Sequence, residues 1–346
     1  MPESTSARPP RWLRALAVAV LGLAAALPAA QAGCQYKRLG SIPLKWRGTV
    51  PTVEARLNGT IVRALVDTGG AAIVVSETLA EQLNLHQRWT GQLWHGVGGE
   101  TRVYDARVKQ LVVGGFVWDN ANVVVAPDLA PSVPQVILGA SFLLQHDMEM
   151  TADAIAFFEP SGCDGVPLAW WDPDAPFLPL EVPGAGGDAD GSADMHLYGQ
   201  VVVDGRPVKA MIDSGASRTS VDVSVARALR LELAATAPDR VVGLGRHVVR
   251  SWPWVFDSVA VGAEVVHRAH IAVEELHEGL IEDARVLDED DLSDSEQMVL
   301  GADFLKAHHV LFAVSQRRMY FTYTGGEIFA APTRASEPPA AAASRP

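Results

Sequence analysis

Short runs in which apolar and polar residues alternate, separated by glycine-containing turns, fill most of the chain and predict the strands of half-buried sheets. Two stretches break that rhythm with helical spacing. SETLAEQLNL opens at Ser76 and DVSVARALRL at Asp222, both good helix caps, and Ala80, Leu83 and Leu85 match Ala226, Leu229 and Leu231 at equal offsets. Just before each helix an apolar run is interrupted by an acid. The first is ALVDTGGAAIVV, Ala64 to Val75, and the second AMIDSGASRTSV, Ala210 to Val221.

The chain therefore repeats itself. Ahead of each acid stand Asn58-Gly59 and Asp204-Gly205, strong hairpin signals between strand-like runs. HGVGGE, with Gly96, Val97 and Gly98, answers VGLGRH, with Gly243, Leu244 and Gly245. VILGASFLLQH answers MVLGADFLKAH, pairing Gly139 with Gly301 and Phe142 with Phe304. Each unit is expected to be mostly β with a closed or sandwiched sheet, carrying one helix after the acid and one after the Leu-Gly pair. The expected organisation is a leader over residues 1–32, a first lobe over 42–159, a linker over 160–176, a second lobe over 177–328 and a disordered alanine- and proline-rich tail over 329–346.

Composition changes this picture in three places. With 48% hydrophobic residues in 346, disorder is excluded as the main theme. Arg11 and Arg14 precede an apolar run from Ala15 to Ala26 and the small-residue pattern Ala30, Gln31, Ala32, which predicts a secretory signal peptide cleaved after Ala32. No second run is long enough to span a bilayer, so a periplasmic or secreted protein is expected. Export favours a disulfide between Cys34 and Cys163. Two unpaired thiols, or lipid attachment at Cys34, are the alternatives; Gln31 stands where a lipoprotein signal carries an aliphatic residue.

The net charge of −13 makes nucleic acid an unsuitable partner. Much of it sits between Glu274 and Glu296, eleven acids against one arginine, without the glycine and alternating acids of a calcium loop. A solvated acidic insertion is the default reading.

An acid inside an apolar run makes sense on a tight loop at a lobe surface, where glycine lets another backbone approach. Two equivalent units bring two such loops face to face about a pseudo-twofold axis. Two carboxylates that close share one proton, so one is a base and the other an acid at the same pH. Adding water across a peptide carbonyl needs that combination.

In these residues the chain resembles the aspartic proteases. VDTGG and IDSGA look like the catalytic loops, and VILGASFL and VLGADFL like the hydrophobic-glycine element that braces them. The implied fold is two retropepsin-like β-barrel lobes, resembling retroviral-type protease units fused in one chain, over most of residues 42–325. The resemblance implies that Asp67 and Asp213 activate a water and protonate the leaving amine. It implies further that Thr68 and Ser214 hydrogen bond across the axis and that Gly69 and Gly215 permit the tight backbone. Gly96, Val97 and Gly98, with Gly243, Leu244 and Gly245, would form flap tips over an extended peptide or protein substrate. No metal or cofactor is implied, and the lobes are expected to pair within one monomer; pairing between chains is the alternative.

One departure stands out: the family usually has alanine and then a hydroxyl or acidic residue after the first Asp-Thr-Gly, where this chain has Gly70 and Ala71. The second copy keeps Ala216 and Ser217. His146 and His308 match in the repeat and are explained by helix-end packing. His95 and His247 lie near the expected flap tips, and Trp94, Trp252 and Trp254 are candidates for groove or core. The expected activity is that of an exported aspartic endopeptidase; the alternative is a peptide- or protein-binding module that keeps the fold without catalysis.

Overall fold

The computed structural model describes residues 33–96, 98–182, 196–234, 239–241, 244–245, 248–276 and 297–330. Residues 1–32, expected to be a leader, Val97, Gly243, His247, residues 277–296 of the acidic segment and residues 331–346 of the expected tail lie outside this set. The first half contains β1 (Gln35–Pro43), β2 (Lys45–Arg47), β3 (Val50–Leu57), β4 (Thr60–Val66), β5 (Val74–Ser76), α1 (Glu77–Gln82), β6 (Arg88–Gly96), β7 (Gly99–Val113), β8 (Phe116–Ala126), β9 (Val136–Leu138), α2 (Ala140–Leu143), β10 (Asp147–Met150) and β11 (Ala154–Ser161). The second contains β12 (Phe177–Glu181), β13 (Tyr198–Val203), β14 (Arg206–Ile212), β15 (Ser220–Asp222), α3 (Val223–Ala228), β16 (Asp239–Val241), β17 (Val249–Val261), β18 (Glu264–Glu274), β19 (Met298–Leu300), α4 (Ala302–Leu305), β20 (His308–Ala313) and β21 (Arg318–Tyr323).

Local chemistry explains the matched elements. Asn58 and Gly59, and Asp204 and Gly205, all take positive φ, which is what a two-residue hairpin turn between twisted strands demands. Ser76 Oγ accepts from the Leu79 amide at 3.3 Å and Asp222 Oδ1 from the Ser224 amide at 2.8 Å, so both short helices are capped as their sequences predict. Alternation decides the burial: Val53, Ala55 and Leu57 of β3 point into the core, while Glu54 and Arg56 face out.

Each half closes on itself. In the first, strands run in the order β3-β4-β9-β5-β8-β7, and β3 pairs again with β7 through Ala55 opposite Val113. In the second, β13-β14-β19-β15-β18-β17 repeats the order, and β13 returns to β17 through Val201 opposite Val261. Closure leaves few free edges. The two barrels stand on a shared antiparallel sheet, β1-β11-β10-β20-β21-β12, to which each half gives three strands. At its centre the repeat-related strands β10 and β20 pair, with Glu149 opposite Leu311. Asp147 locks this seam, accepting from the Ser315 amide at 2.9 Å and the Ser315 hydroxyl at 2.7 Å.

The segment between the halves packs against that sheet: Cys163, Leu168, Ala169 and Ala175 are buried with Leu311, Ala313 and Tyr320. At the other end Phe329, next to the last described residue, is 1% exposed within the core. Cys34 and Cys163 form a disulfide that closes a span of 129 residues. Because such a bridge restricts the unfolded chain, reduction should cost about 2–5 kcal/mol. Urea unfolding with and without reductant would measure it. Among the described residues no helix is long and apolar enough to cross a membrane.

Candidate active site

Both acid loops leave the barrel at matched points. Asp67 follows β4 and donates its amide to the Leu138 carbonyl at 3.1 Å; Asp213 follows β14 and donates to the Leu300 carbonyl at 3.0 Å. The Leu-Gly elements thus hold the acid loops from behind. Gly139 sits where a Cβ would come within 2.3 Å of the Ala72 carbonyl oxygen, and a Cβ at Gly301 would come within 2.5 Å of the Arg218 carbonyl carbon, so only glycine fits. Beyond them, the Ala140 and Ser141 amides donate to the Gly70 and Ala71 carbonyls, and Ala302 to Ala216.

The loops meet across the pseudo-twofold axis through Thr68 and Ser214, both fully buried. The Thr68 amide donates to Ser214 Oγ at 3.1 Å and the Ser214 amide donates to Thr68 Oγ1 at 3.0 Å. Each hydroxyl then donates onward into the other half, Thr68 to the Ile212 carbonyl and Ser214 to the Val66 carbonyl, both at 2.8 Å. Four reciprocal bonds in a dry site fix the loops' relative position far better than any one would.

The carboxyl groups lie inside this frame. A Cβ on Gly69 would stand 2.3 Å from Asp213 Cγ and one on Gly215 would stand 2.4 Å from Asp67 Cγ, so each acid rests on the other loop's glycine. The two side chains are hydrogen bonded to each other. Burial pushes Asp67 well above the usual carboxylate range, with the charge of Asp213 and their shared hydrogen bond adding to the rise; the Gly70 and Gly69 amides work against it. Asp213 Oδ1 instead accepts from the Gly215 amide at 2.7 Å, while Asp67 Oδ1 is buried without a hydrogen-bond partner among the described residues. The two carboxyls thus share their proton as a pair, in unlike hydrogen-bond settings.

Above the acids the glycine-rich tips meet. Gly98 pairs with Gly245, its amide donating to the Leu244 carbonyl at 2.7 Å, and the Gly245 amide donates to the Asp128 carbonyl at 3.3 Å. Gly245 has φ +104° and lies against the Gly98 backbone, a contact that a side chain would block. Gly96 and Gly98 are described and meet Leu244 and Gly245; Val97 and Gly243, assigned to the same tips from sequence, lie outside the described residues. Leu244 packs with Trp94, Leu129 and Val133 of the first half. Trp252 and Trp254 lie half-buried against the core of the second. Of the matched histidines, His308 is enclosed, its ring between the Phe304 carbonyl at 2.7 Å and both Glu264 oxygens at 3.1 Å. Among the described residues no group of three His, Cys, Asp or Glu is arranged to hold a metal.

Sequence reasoning missed one support. Asp303 Oδ1 accepts from the Thr219 amide at 2.9 Å and the Thr219 hydroxyl at 2.6 Å, while Thr219 Oγ1 accepts from the Gly301 amide at 2.9 Å. The repeat puts Ile73 and Ser141 at these positions in the first half, so only the second loop has this side-chain brace. The acid in LGADF, where the first copy has LGASF, was the available signal.

Two repeat-related β-barrels that present an Asp-Thr-Gly and an Asp-Ser-Gly loop to each other define a two-lobed acid protease fold of the retropepsin-like kind. A family model described as aspartyl protease matches residues 53–142 and 199–304. The chain belongs to that family. Among solved structures it is similar to a retropepsin-like aspartic protease from Rickettsia conorii, at 19% identity and a TM-score of 0.29, covering 37% of this chain and 95% of that one. It is also similar to Basic 7S globulin from soybean, at 14% identity and a TM-score of 0.41, covering 82% of this chain and 95% of that one. No curated protein sequence matches it.

Proposed function

We propose that the protein is an exported aspartic endopeptidase in which Asp67 and Asp213, one from each lobe, hydrolyse a peptide bond held in extended form beneath the paired tips. The observation that carries this reading is the convergence of the two acids: each carboxyl rests on the other loop's glycine, inside the reciprocal Thr68–Ser214 hydrogen bonds. A water between the two would lose its proton to the Asp213 carboxylate as its oxygen attacks the carbonyl carbon. Asp67 would donate its proton to the carbonyl oxygen, giving a neutral gem-diol. Collapse of that intermediate returns a proton to Asp67 and delivers one from Asp213 to the leaving amine. The tips, by closing, would exclude bulk water from the reacting bond.

Export rests on the leader pattern over residues 1–32 and is supported by the Cys34–Cys163 bridge, which suits an oxidising compartment. The test is incubation of the mature chain with a denatured protein mixture across about pH 3–7, with and without a hydroxyl-bearing mimic of the hydrated peptide bond. Cleavage that the mimic suppresses is the expected result, with the rate falling toward higher pH as the acid pair loses its shared proton. Mimic binding without cleavage at any pH would instead favour a peptide-binding module on the same fold.

A further inference from the structure

The two lobes offer unlike walls to whatever lies between them. In each barrel, strand alternation sends one set of residues inward and the next to the face that carries the acid. Leu65 is two residues before Asp67 and shares its face; it clusters there with Val74, Ala126 and Ile137, apart from the barrel core that holds Val66, Val75, Val125 and Leu138. Leu244, reaching over from the second lobe's tip, packs into this apolar wall. By the repeat, the corresponding residues of the second lobe are Met211, Ser220, Glu274 and Val299. The strand registers fix the least obvious of these: Ala126 pairs with Ser76 as Glu274 pairs with Asp222.

An apolar cluster in one lobe is thus answered by a carboxylate in the other. Glu274 is 9% exposed and accepts from the Ser251 hydroxyl at 3.0 Å. Burial pushes it up from the ordinary carboxylate range; Ser220, Ser251 and the charge of Arg218 pull the other way, so its ionised form is partly supported. A groove of about 400 Å³, lined by Ser251 and Arg218 with Asp239, Trp254 and His270, lies beside it through Ser251, the strand partner of Glu274. Two oxygens offer about four acceptor sites, of which two serines fill only part. A peptide residue that covers Glu274 without donating a hydrogen bond would strand it from water.

We propose that Glu274 is a specificity-determining residue: the second lobe's wall selects a substrate side chain with a cationic, hydrogen-bond-donating end, lysine above its isostere norleucine, while the first lobe selects an aliphatic one. The proposal rests on the protease reading for what the cleft binds, but not on catalysis. Its test uses the mature chain and octapeptides whose central bond is reduced and non-hydrolysable, with lysine or norleucine placed in turn at each position flanking that bond. Calorimetric binding should favour lysine about 10- to 100-fold at one position and norleucine at the position related to it by the pseudo-twofold axis. Glu274→Gln should remove most of the lysine preference while binding the norleucine peptides as tightly as before. A norleucine preference at every position, a lysine preference that survives Glu274→Gln, or no binding of any peptide would overturn it. Parallel peptides with ordinary bonds separate the two ideas: selective binding without hydrolysis supports the subsite and defeats the endopeptidase.

Discussion

Replacing Asp213 by asparagine should lower kcat by about 10³-fold or more, because the base that takes the water's proton is gone. Asp67→Asn should do the same, since an amide cannot surrender the proton that Asp67 delivers. Asp67→Asn should also change stability. Asp67 is raised in the folded state by burial and by Asp213, so the native protein keeps a proton that the unfolded chain releases near pH 4. Native protein then binds more protons than unfolded protein, and stability falls as pH rises from there toward the folded value. Asparagine imitates the protonated acid and escapes that loss. Calorimetric Tm values should therefore agree for wild type and Asp67→Asn near pH 3, and the variant should melt higher near pH 7. A variant that melts lower at neutral pH would mean that the pair stabilises the fold when ionised, contrary to its setting.

Thr68→Val should damage both stability and rate. It removes the donor to the Ile212 carbonyl and the acceptor for the Ser214 amide, leaving two buried groups unpaired. At about 1–3 kcal/mol for each, the expected loss is roughly 2–6 kcal/mol in chemical denaturation. Ser214→Ala should match it, because the bonds it removes, from the Thr68 amide and to the Val66 carbonyl, are the mirror pair. Since the hydroxyls also set how the two carboxyls face, kcat should fall by about 10²-fold in the variants that still fold. Thr68→Ser keeps the hydroxyl and should retain most of both quantities, which separates the loss of a hydrogen bond from a mere change of shape.

The elements that sequence predicted best are those whose cause is local. Two-residue turns at Asn58-Gly59 and Asp204-Gly205, caps at Ser76 and Asp222, and strands from alternation all depend on neighbours within a few positions. Duplication added what one copy would not have carried, since the acid in the second unit named the partner of the first. The departure at Gly70 and Ala71 is resolved only by contacts distant in sequence. Their carbonyls are held by the Ala140 and Ser141 amides, bonds that any residue type can make, whereas the side-chain brace through Thr219 and Asp303 belongs to the second loop alone. Glu274 was read as one of eleven acids in a solvated segment, yet it ends β18 and is buried beside Ser251. Charge density describes a segment; burial is decided residue by residue by which face of a strand is covered.

The amino-acid order alone determined the two β units, their capped helices and glycine turns, and the repetition that marks Asp67 and Asp213 as equivalents, because each follows from short-range sterics and periodicity. Tertiary structure decided that Asp67 and Asp213 meet and that Asp67 is raised by burial, that Leu244 rests in the opposite lobe, and that Glu274 is buried beside Ser251. Those outcomes depend on which groups lose water when residues 146 positions apart are pressed together, and desolvation is a property of the packed neighbourhood rather than of any stretch of chain.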